Sequence, residues 1–278
     1  MKTNTDPPQV SVIIPTRNSA KTLSKCIESI NLQTLRQLEV VIVDAFSSDE
    51  TIKIAKSYSA KVLQAKGFQS KARNIGVQNS TSNFILFLDS DQVLSKTVIE
   101  ACLKLCQNGD VGMVRIPEVF VGDSFWSECS AAWRNSYDKV EAQYGDRLGL
   151  VHGKPRFFAR SKLEKVGLFD ESMLWGEDYD LYERLKRQGV KETVCVPVLY
   201  HFEAFSLKKF LLKNLRYGDS MSAFKQKSEG QGFSVMVNHS VFTFLEILKK
   251  PKRLSIIFGC AVLLLIKSTA TALGMLKS

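Results

Sequence analysis

Four apolar runs, each ended by polar residues and separated by helix-spaced segments, organise the first hundred residues. They read QVSVIIP (9–15), LEVVIVDA (38–45), AKVLQA (60–65) and FILFLDSDQ (84–92). Between the first two, Leu23, Cys26, Ile27 and Ile30 recur at helical spacing, behind Asn18 or Ser19 as the expected cap. A second helix is expected over 49–59 behind Ser47 or Ser48, and SKARNIGVQNS predicts a short third one. Strands apolar on both faces and alternating with helices predict a parallel sheet covered on both sides.

Beyond residue 110 the pattern is mixed. VGMVRIPEV (111–119) predicts a strand, and a longer helix is expected from about 124 to 143. GLVHGKPRFFAR (149–160) reads as an extended pair around Gly153, Lys154 and Pro155; a helix opens near Glu177, ETVCVPVLYHF (192–202) is extended, and SLKKFLLKNLRYGDSM is a basic helix. There are no internal repeats and no low-complexity segment.

Ligands of such sheets bind at the carboxyl ends of the strands. The polar groups at those ends are Thr16, Arg17, Asp44, and Asp89 with Asp91. On an extended strand Asp89 and Asp91, two positions apart, would face one point. Two adjacent carboxylates repel unless a cation relieves them, and hard oxygen ligands suit Mg²⁺ or Mn²⁺. The bland alternative is a strand end that merely meets solvent. A second acidic cluster, Glu177, Asp178 and Asp180 in WGEDYDLYERL, lies where acids complement a helix dipole. The flanking Trp175 and Gly176 suggest instead a shaped approach to a pocket, where a carboxylate could act as a general base.

Charge and composition narrow the classes. The 278 residues are 45% hydrophobic, enough for a real core. Of the net charge of +10, residues 201–278 carry +8, from twelve Lys and Arg against four Asp and Glu. A basic tail beside apolar sequence points to an anionic membrane surface rather than to nucleic acid. That apolar sequence is LSIIFGCAVLLLIKSTATALGML (254–276), preceded by KKPKR (249–253) and interrupted by Lys267. Its length suffices to cross a bilayer, and the lysine makes an interfacial helix or a helix packed on the globular part the competing expectation. The six cysteines (26, 102, 106, 129, 195 and 260) show no paired zinc-ligand spacing and read as reduced cytosolic thiols. The polar, Pro-rich opening MKTNTDPPQ does not read as a secretory signal. No GxGxxG follows the first strand and no GxxxxGK[ST] occurs, against a dinucleotide-dependent dehydrogenase or a P-loop ATPase.

The ordered series VSVIIPTRN, VIVDAFSSDET, KARNIGVQNS, FLDSDQ and WGEDYDLYERL resembles the family 2 glycosyltransferases over about residues 9–220. The resemblance implies the inverting GT-A fold: an α/β, Rossmann-like, mostly parallel central sheet with helices on both faces. A helical, basic and apolar C-terminal segment follows it here. It also implies roles. Pro15, Thr16 and Arg17 would lie against the nucleotide of a UDP- or GDP-sugar donor, Asp44 would contact base or ribose, and Arg73 with Lys71 would reach the diphosphate. Asp89 and Asp91 match the family's Asp-x-Asp, the first toward ribose and metal, the second on the metal. Asp178, in the pair with Glu177, matches the catalytic base, and Glu177 is grouped with the donor-binding residues. His201, 23 positions after Asp178, matches a histidine that completes the metal site in many members; a half-buried histidine without that role is the alternative.

Two departures stand out. KNLRY (213–217) replaces the family's Gln-x-x-Arg-Trp, which leaves Arg216 as a diphosphate or acceptor contact and argues against a processive synthase. Asp44-Ala45-Phe46-Ser47 replaces Asp-Asp-Gly-Ser, which puts the base and donor identity in doubt. The expected organisation is a GT-A domain over 1–225, with a donor-binding half about 9–110 and an acceptor half about 111–225. A membrane-associated helical segment follows over 226–278. The expected function is metal-dependent transfer of a sugar to a lipid-linked glycan or polyprenyl phosphate at the cytosolic membrane face. A sugar-nucleotide-forming nucleotidyltransferase would carry a Gly-rich basic loop after its first strand, and PTRNSAKTL has no glycine. Retention of Asp89, Asp91 and Asp178 argues against a catalytically silent membrane-bound module. A glycoside hydrolase would use its carboxylate pair across the bond it cleaves, which suits this sheet poorly.

Overall fold

A computed structural model describes residues 7–107, 110–148, 155–173, 176–202, 205–227, 232–249 and 253–276. Trp175, the turn at Gly153 and Lys154, and residues 250–252 of the basic run lie outside the described residues. The chain divides into two compact units, the first comprising 1–117, 154–173 and 177–201, the second 118–153, 174–176 and 202–278.

In the first unit the chain order is β1 (Val10–Thr16), α1 (Leu23–Asn31), β2 (Leu38–Asp44), α2 (Thr51–Ser57), β3 (Lys61–Gln64), α3 (Gln69–Gln78) and β4 (Phe84–Phe87). There follow β5 (Gln92–Leu94), α4 (Val98–Gln107) and β6 (Val111–Arg115). After β7 (Glu118–Val121) and α5 (Phe125–Leu148) of the second unit, the first resumes with β8 (Phe157–Ala159), α6 (Arg160–Lys165), α7 (Glu177–Arg187), β9 (Lys191–Val194) and β10 (Leu199–Phe202). The seven-stranded sheet has the order β3-β2-β1-β4-β8-β6-β9. β1 pairs in parallel with β2 and β4, β2 with β3, and β6 with β9; only β8 runs antiparallel to both its neighbours. The sheet is therefore mixed and mostly parallel, with helices on both faces as expected.

Strand alternation assigns the faces. Val10, Val12 and Ile14 of β1 share a core with Leu23, Cys26, Ile27 and Ile30 of α1 and with Val98, Ile99 and Cys102 of α4. Ile13 points the other way, to α3, where a Cβ added to Gly76 would lie 2.3 Å from its Cγ2. The glycine is what lets α3 approach β1 so closely.

The helix caps differ from expectation. The N-caps of α1 and α2 are Thr22 and Glu50, neither with a side-chain cap bond. Asn18, Ser47 and Ser48 instead tie the loops after β1 and β2 together. The Asn18 N–H donates to Ser47 Oγ at 2.8 Å, and the Ser48 N–H to Asn18 Oδ1 at 2.9 Å. The strand carrying FILF also ends earlier than the extended reading of 84–92 required. β4 stops at Phe87, and Asp89 to Gln92 form a turn in which the Gln92 N–H donates to Asp89 O at 3.0 Å.

The second unit adds α8 (Leu207–Lys227), α9 (Gly232–Leu248) and α10 (Leu254–Met275) to β7 and α5. Its core joins Cys129 and Ala132 of α5 with Ile247, Ile256, Cys260 and Leu263. All six cysteines are free and buried.

Candidate functional site

At the carboxyl end of the sheet, Thr16 and Asp44 close β1 and β2 in register. Both are buried, and the Thr16 hydroxyl donates to Asp44 Oδ1 at 2.9 Å. The Ser47 N–H donates to Asp44 Oδ2 at 2.8 Å and the Ser47 hydroxyl to Oδ1 at 2.5 Å. Three donors thus fill most of the carboxylate's accepting capacity, and its first task is to hold the loop that follows β2. In that loop Phe46 has φ +54° and is exposed, with Lys66 Nζ 5.7 Å above its ring. Glycine adopts this left-handed conformation freely; here a phenylalanine holds it. Pro15 is half-buried and Arg17 exposed beside them.

Asp89 lies between two arginines. Arg73 Nη2 donates to its Oδ1 at 3.3 Å, and Arg156 Nη2 lies 3.2 Å from its Oδ2. Gln69 Nε2 adds a third donor to Oδ1 at 2.7 Å. Arg73 continues the chain through Nη1 to Glu177 Oε1 at 3.2 Å and stacks 5.2 Å from the Phe169 ring. Both arginines are almost wholly withdrawn from solvent, so each needs an acidic partner to be tolerated there. The structure therefore brings Arg73, Asp89 and Glu177 together as one charged row. Lys71, on the same helix as Arg73, is exposed.

Asp91, two residues on, faces a different partner. Its Oδ2 lies 3.3 Å from His201 Nε2, and its side chain keeps 38% of its surface in solvent. His201 is opposite Gln92 in the antiparallel β5–β10 pair. The Asp89 N–H donates to Gln92 Oε1 at 2.9 Å, which turns Gln92 Nε2 toward His201 Nδ1 at 3.4 Å. An amide N–H facing Nδ1 makes that atom the acceptor and puts the ring proton on Nε2, toward Asp91, where a bound metal ion would have to displace it. The two carboxylates of Asp-Ser-Asp thus diverge, one to the arginines and one to the histidine.

Cys26 underlies this turn, its Sγ 3.6 Å from Asp89 O. Burial, then the charges of Asp91 and Asp89, push its thiol pKa far above the ordinary range. Asp178 sits in the first turn of α7, half-buried, with Oδ1 accepting from the Tyr179 N–H at 2.9 Å. Gly176 before it has φ +80°, a conformation that glycine allows as the chain enters the helix. Arg216 is exposed on α8 in the second unit.

Arg156, Gln69 and Gln92 went unnoticed in the sequence reading. Arg156 had one signal, an arginine immediately before a strand; the two glutamines had none.

Among the described residues no group of three or more His, Cys, Asp or Glu is arranged to hold a metal. The donors do suit a lighter arrangement. Mg²⁺ or Mn²⁺ commonly takes one or two protein ligands and completes its shell with phosphate and water. Asp91 and His201 supply one carboxylate and one imidazole, while Asp89 is engaged by its arginines.

Residues 11–167 match the sequence profile described as Glycosyl transferase family 2. An uncharacterized glycosyltransferase of Rickettsia prowazekii (strain Madrid E) is 31% identical over 195 residues, covering 67% of this chain and 61% of that protein. The chain thus spans about three fifths of the length of this relative and of its Rickettsia typhi counterpart. Among solved structures, the mannosyltransferase PcManGT from Pyrobaculum calidifontis in complex with GDP-Man and Mn²⁺ superposes with a TM-score of 0.60 at 16% identity, covering 98% of this chain and 88% of that one. TarS 1-349 of S. aureus in complex with UDP-GlcNAc superposes with a TM-score of 0.58 at 17% identity, covering 95% and 90%. At these identities the likeness is one of fold.

Proposed function

Because the chain belongs to glycosyl transferase family 2, we propose that it moves a sugar from a nucleoside-diphosphate sugar to a hydroxyl or phosphate acceptor, with inversion at the anomeric carbon. The observation that carries this reading is the charged row Arg156–Asp89–Arg73–Glu177 beside the Asp91–His201 pair. Two nearly buried guanidiniums, their positions fixed by carboxylates, are preorganised donors for the oxygens of a diphosphate.

In this reading Pro15, Thr16 and Arg17 border the nucleotide and Asp44 organises the loop beneath its base or ribose. Arg73 holds the diphosphate with Lys71 at its margin, and Asp89 keeps Arg73 and Arg156 in register. Asp178 takes the proton from the acceptor hydroxyl as it attacks, and the bond to the leaving diphosphate breaks on the opposite face. Arg216 is assigned to the diphosphate or the acceptor. Asp91 and His201 would hold a divalent ion, Mg²⁺ or Mn²⁺. When bound, the ion supplies Lewis-acid stabilisation of charge growing on the departing phosphates.

The acceptor we propose is a lipid-linked glycan or polyprenyl phosphate at the cytosolic face of the membrane, which suits the basic and apolar C-terminal sequence. The division into a GT-A domain over 1–225 and a membrane-associated segment over 226–278 belongs to the same proposal.

Calorimetry of UDP and GDP binding, each with Mn²⁺ and with EDTA, tests the reading on the wild type and on Asp91→Asn. Binding that requires Mn²⁺ and is lost in the variant supports it and identifies the base. Equal binding in EDTA overturns the metal role. Absence of binding to either nucleotide by folded protein overturns this donor site.

A further inference from the structure

α10 has 22 residues and a mean hydropathy of 2.1 in its most apolar stretch, enough to cross a membrane by length and composition. Its exposure is nonetheless one-sided. Leu254, Phe258 and Leu265 are 83%, 70% and 66% exposed, and with Leu273 and the capping Leu276 they fall within an arc of about 100° on a helical wheel. Ile256, Gly259, Cys260, Leu263, Ala270 and Gly274 are buried on the opposite side.

The buried side is joined to α8 at backbone distance and to α5 through close side-chain packing. A Cβ on Gly218 of α8 would lie 2.3 Å from Thr271 O and 2.8 Å from Gly274 Cα, and a Cβ on Gly259 would lie 2.4 Å from Cys129 Sγ of α5. A bilayer-crossing α10 would therefore carry α8 with it, and α8 presents Lys208, Lys209, Lys213 and Arg216 to its surroundings. Each cation near a bilayer centre costs roughly 2.5–3.5 kcal/mol on insertion scales. Lys267, past the midpoint of α10, faces Arg134 of α5 and Lys213 of α8, and among the described residues it has no acidic partner. Withdrawal from water and those two cations hold its ammonium below its usual pKa. Three cations on the packed side suit the level of lipid phosphates and not the hydrocarbon.

Resting on the membrane reading above, we infer that α10 lies in the plane of an anionic bilayer, its Leu254–Phe258–Leu265 stripe in the acyl boundary and its flanking cations among the headgroups, rather than crossing it. Exposed Arg253 at the start of the helix and Lys249 just after α9, the latter also 3.1 Å from Glu246, supply the charge complementarity, within a C-terminal region of net charge +8.

The test uses the full chain with phosphatidylcholine vesicles, with and without phosphatidylglycerol, and membranes from an expressing bacterium. Binding at least about tenfold stronger with the anionic lipid is expected. Lys249→Gln with Arg253→Gln should weaken it roughly 25-fold, about fivefold for each charge removed. Phe258→Asp with Leu265→Asp should abolish it without changing the melting temperature, since both positions are exposed. Alkaline carbonate should release the protein, and a C-terminal tag should be protected from protease in spheroplasts but cleaved in inverted vesicles. Cleavage in spheroplasts would show a spanning helix and overturn the inference. So would failure of the folded protein to bind either vesicle, or a dimer in solution that Phe258→Asp dissociates. Nucleotide binding measured on the same preparation separates these failures from failure of the donor-site reading.

Discussion

Arg156 reaches Asp89 because β8 runs against β4. In a parallel sheet the residue before a strand lies at the far edge from the residue after its neighbour. Reversal of β8 puts its amino end against the carboxyl end of β4, where the Phe87 N–H donates to Arg156 O at 2.9 Å. The side chains then meet, Nη2 to Oδ2, at 3.2 Å. Arg156→Gln should weaken UDP or GDP binding about tenfold, in line with the loss of a charge-assisted bond worth roughly 1.5 kcal/mol. Asp89→Ala should cost roughly 2–3 kcal/mol of stability, less than for a fully buried pair because Asp89 keeps 23% side-chain exposure. Calorimetry and urea unfolding give the two numbers; unchanged stability in Asp89→Ala would mean that the arginines do not depend on it.

Asp178→Asn should lower kcat by at least about 100-fold while leaving nucleotide affinity within about twofold. A variant that loses both would assign Asp178 to donor binding instead. The readout is turnover of a nucleotide sugar beside calorimetry of the nucleotide alone.

Phe46 holds a left-handed conformation that glycine adopts freely. Phe46→Gly should raise stability by up to about 1 kcal/mol, measured as an increase in Tm. A fall in Tm would mean that the ring's contact with Lys66 outweighs the backbone strain.

The Cys26 thiol stays protonated in the folded chain well above its unfolded value of 9.0. The unfolded state thus releases this proton first, and stability linked to it is complete below about pH 9 and declines above it. The slope is up to roughly 1.4 kcal/mol per pH unit for this one group. Cys26→Ser should flatten the pH dependence of urea unfolding in that range, and native Cys26 should resist alkylation at pH 8.

The alternation of strands and helices over the first hundred residues was legible because β-branched runs and helix-spaced apolar positions obey different periods. Asp44 at the end of β2, Arg73 in KARNIG and the acidic start of α7 followed from motif order. Other features were not legible because they depend on tertiary pairing. Extended spacing suggested that Asp89 and Asp91 share one point. The turn after Phe87 separates them, because Gln92 closes it by accepting the Asp89 N–H. Asn18 and Ser47 looked like helix caps and instead bond to each other across 29 positions, a distance that no local pattern encodes. Arg156 could not be connected to Asp89 without knowing the direction of β8.

The wide separation of these partners also sets an order of events at the ribosome. Asp89 and Asp91 are synthesised well before Arg156, and His201 is 110 positions beyond Asp91. While the nascent chain grows from its amino terminus, both carboxylates wait without these later partners. The carboxyl end of the half-made sheet therefore stays charged and unsettled until β8 joins it and β10 pairs with β5, and the last residues of the first unit to emerge are the ones that complete its chemistry.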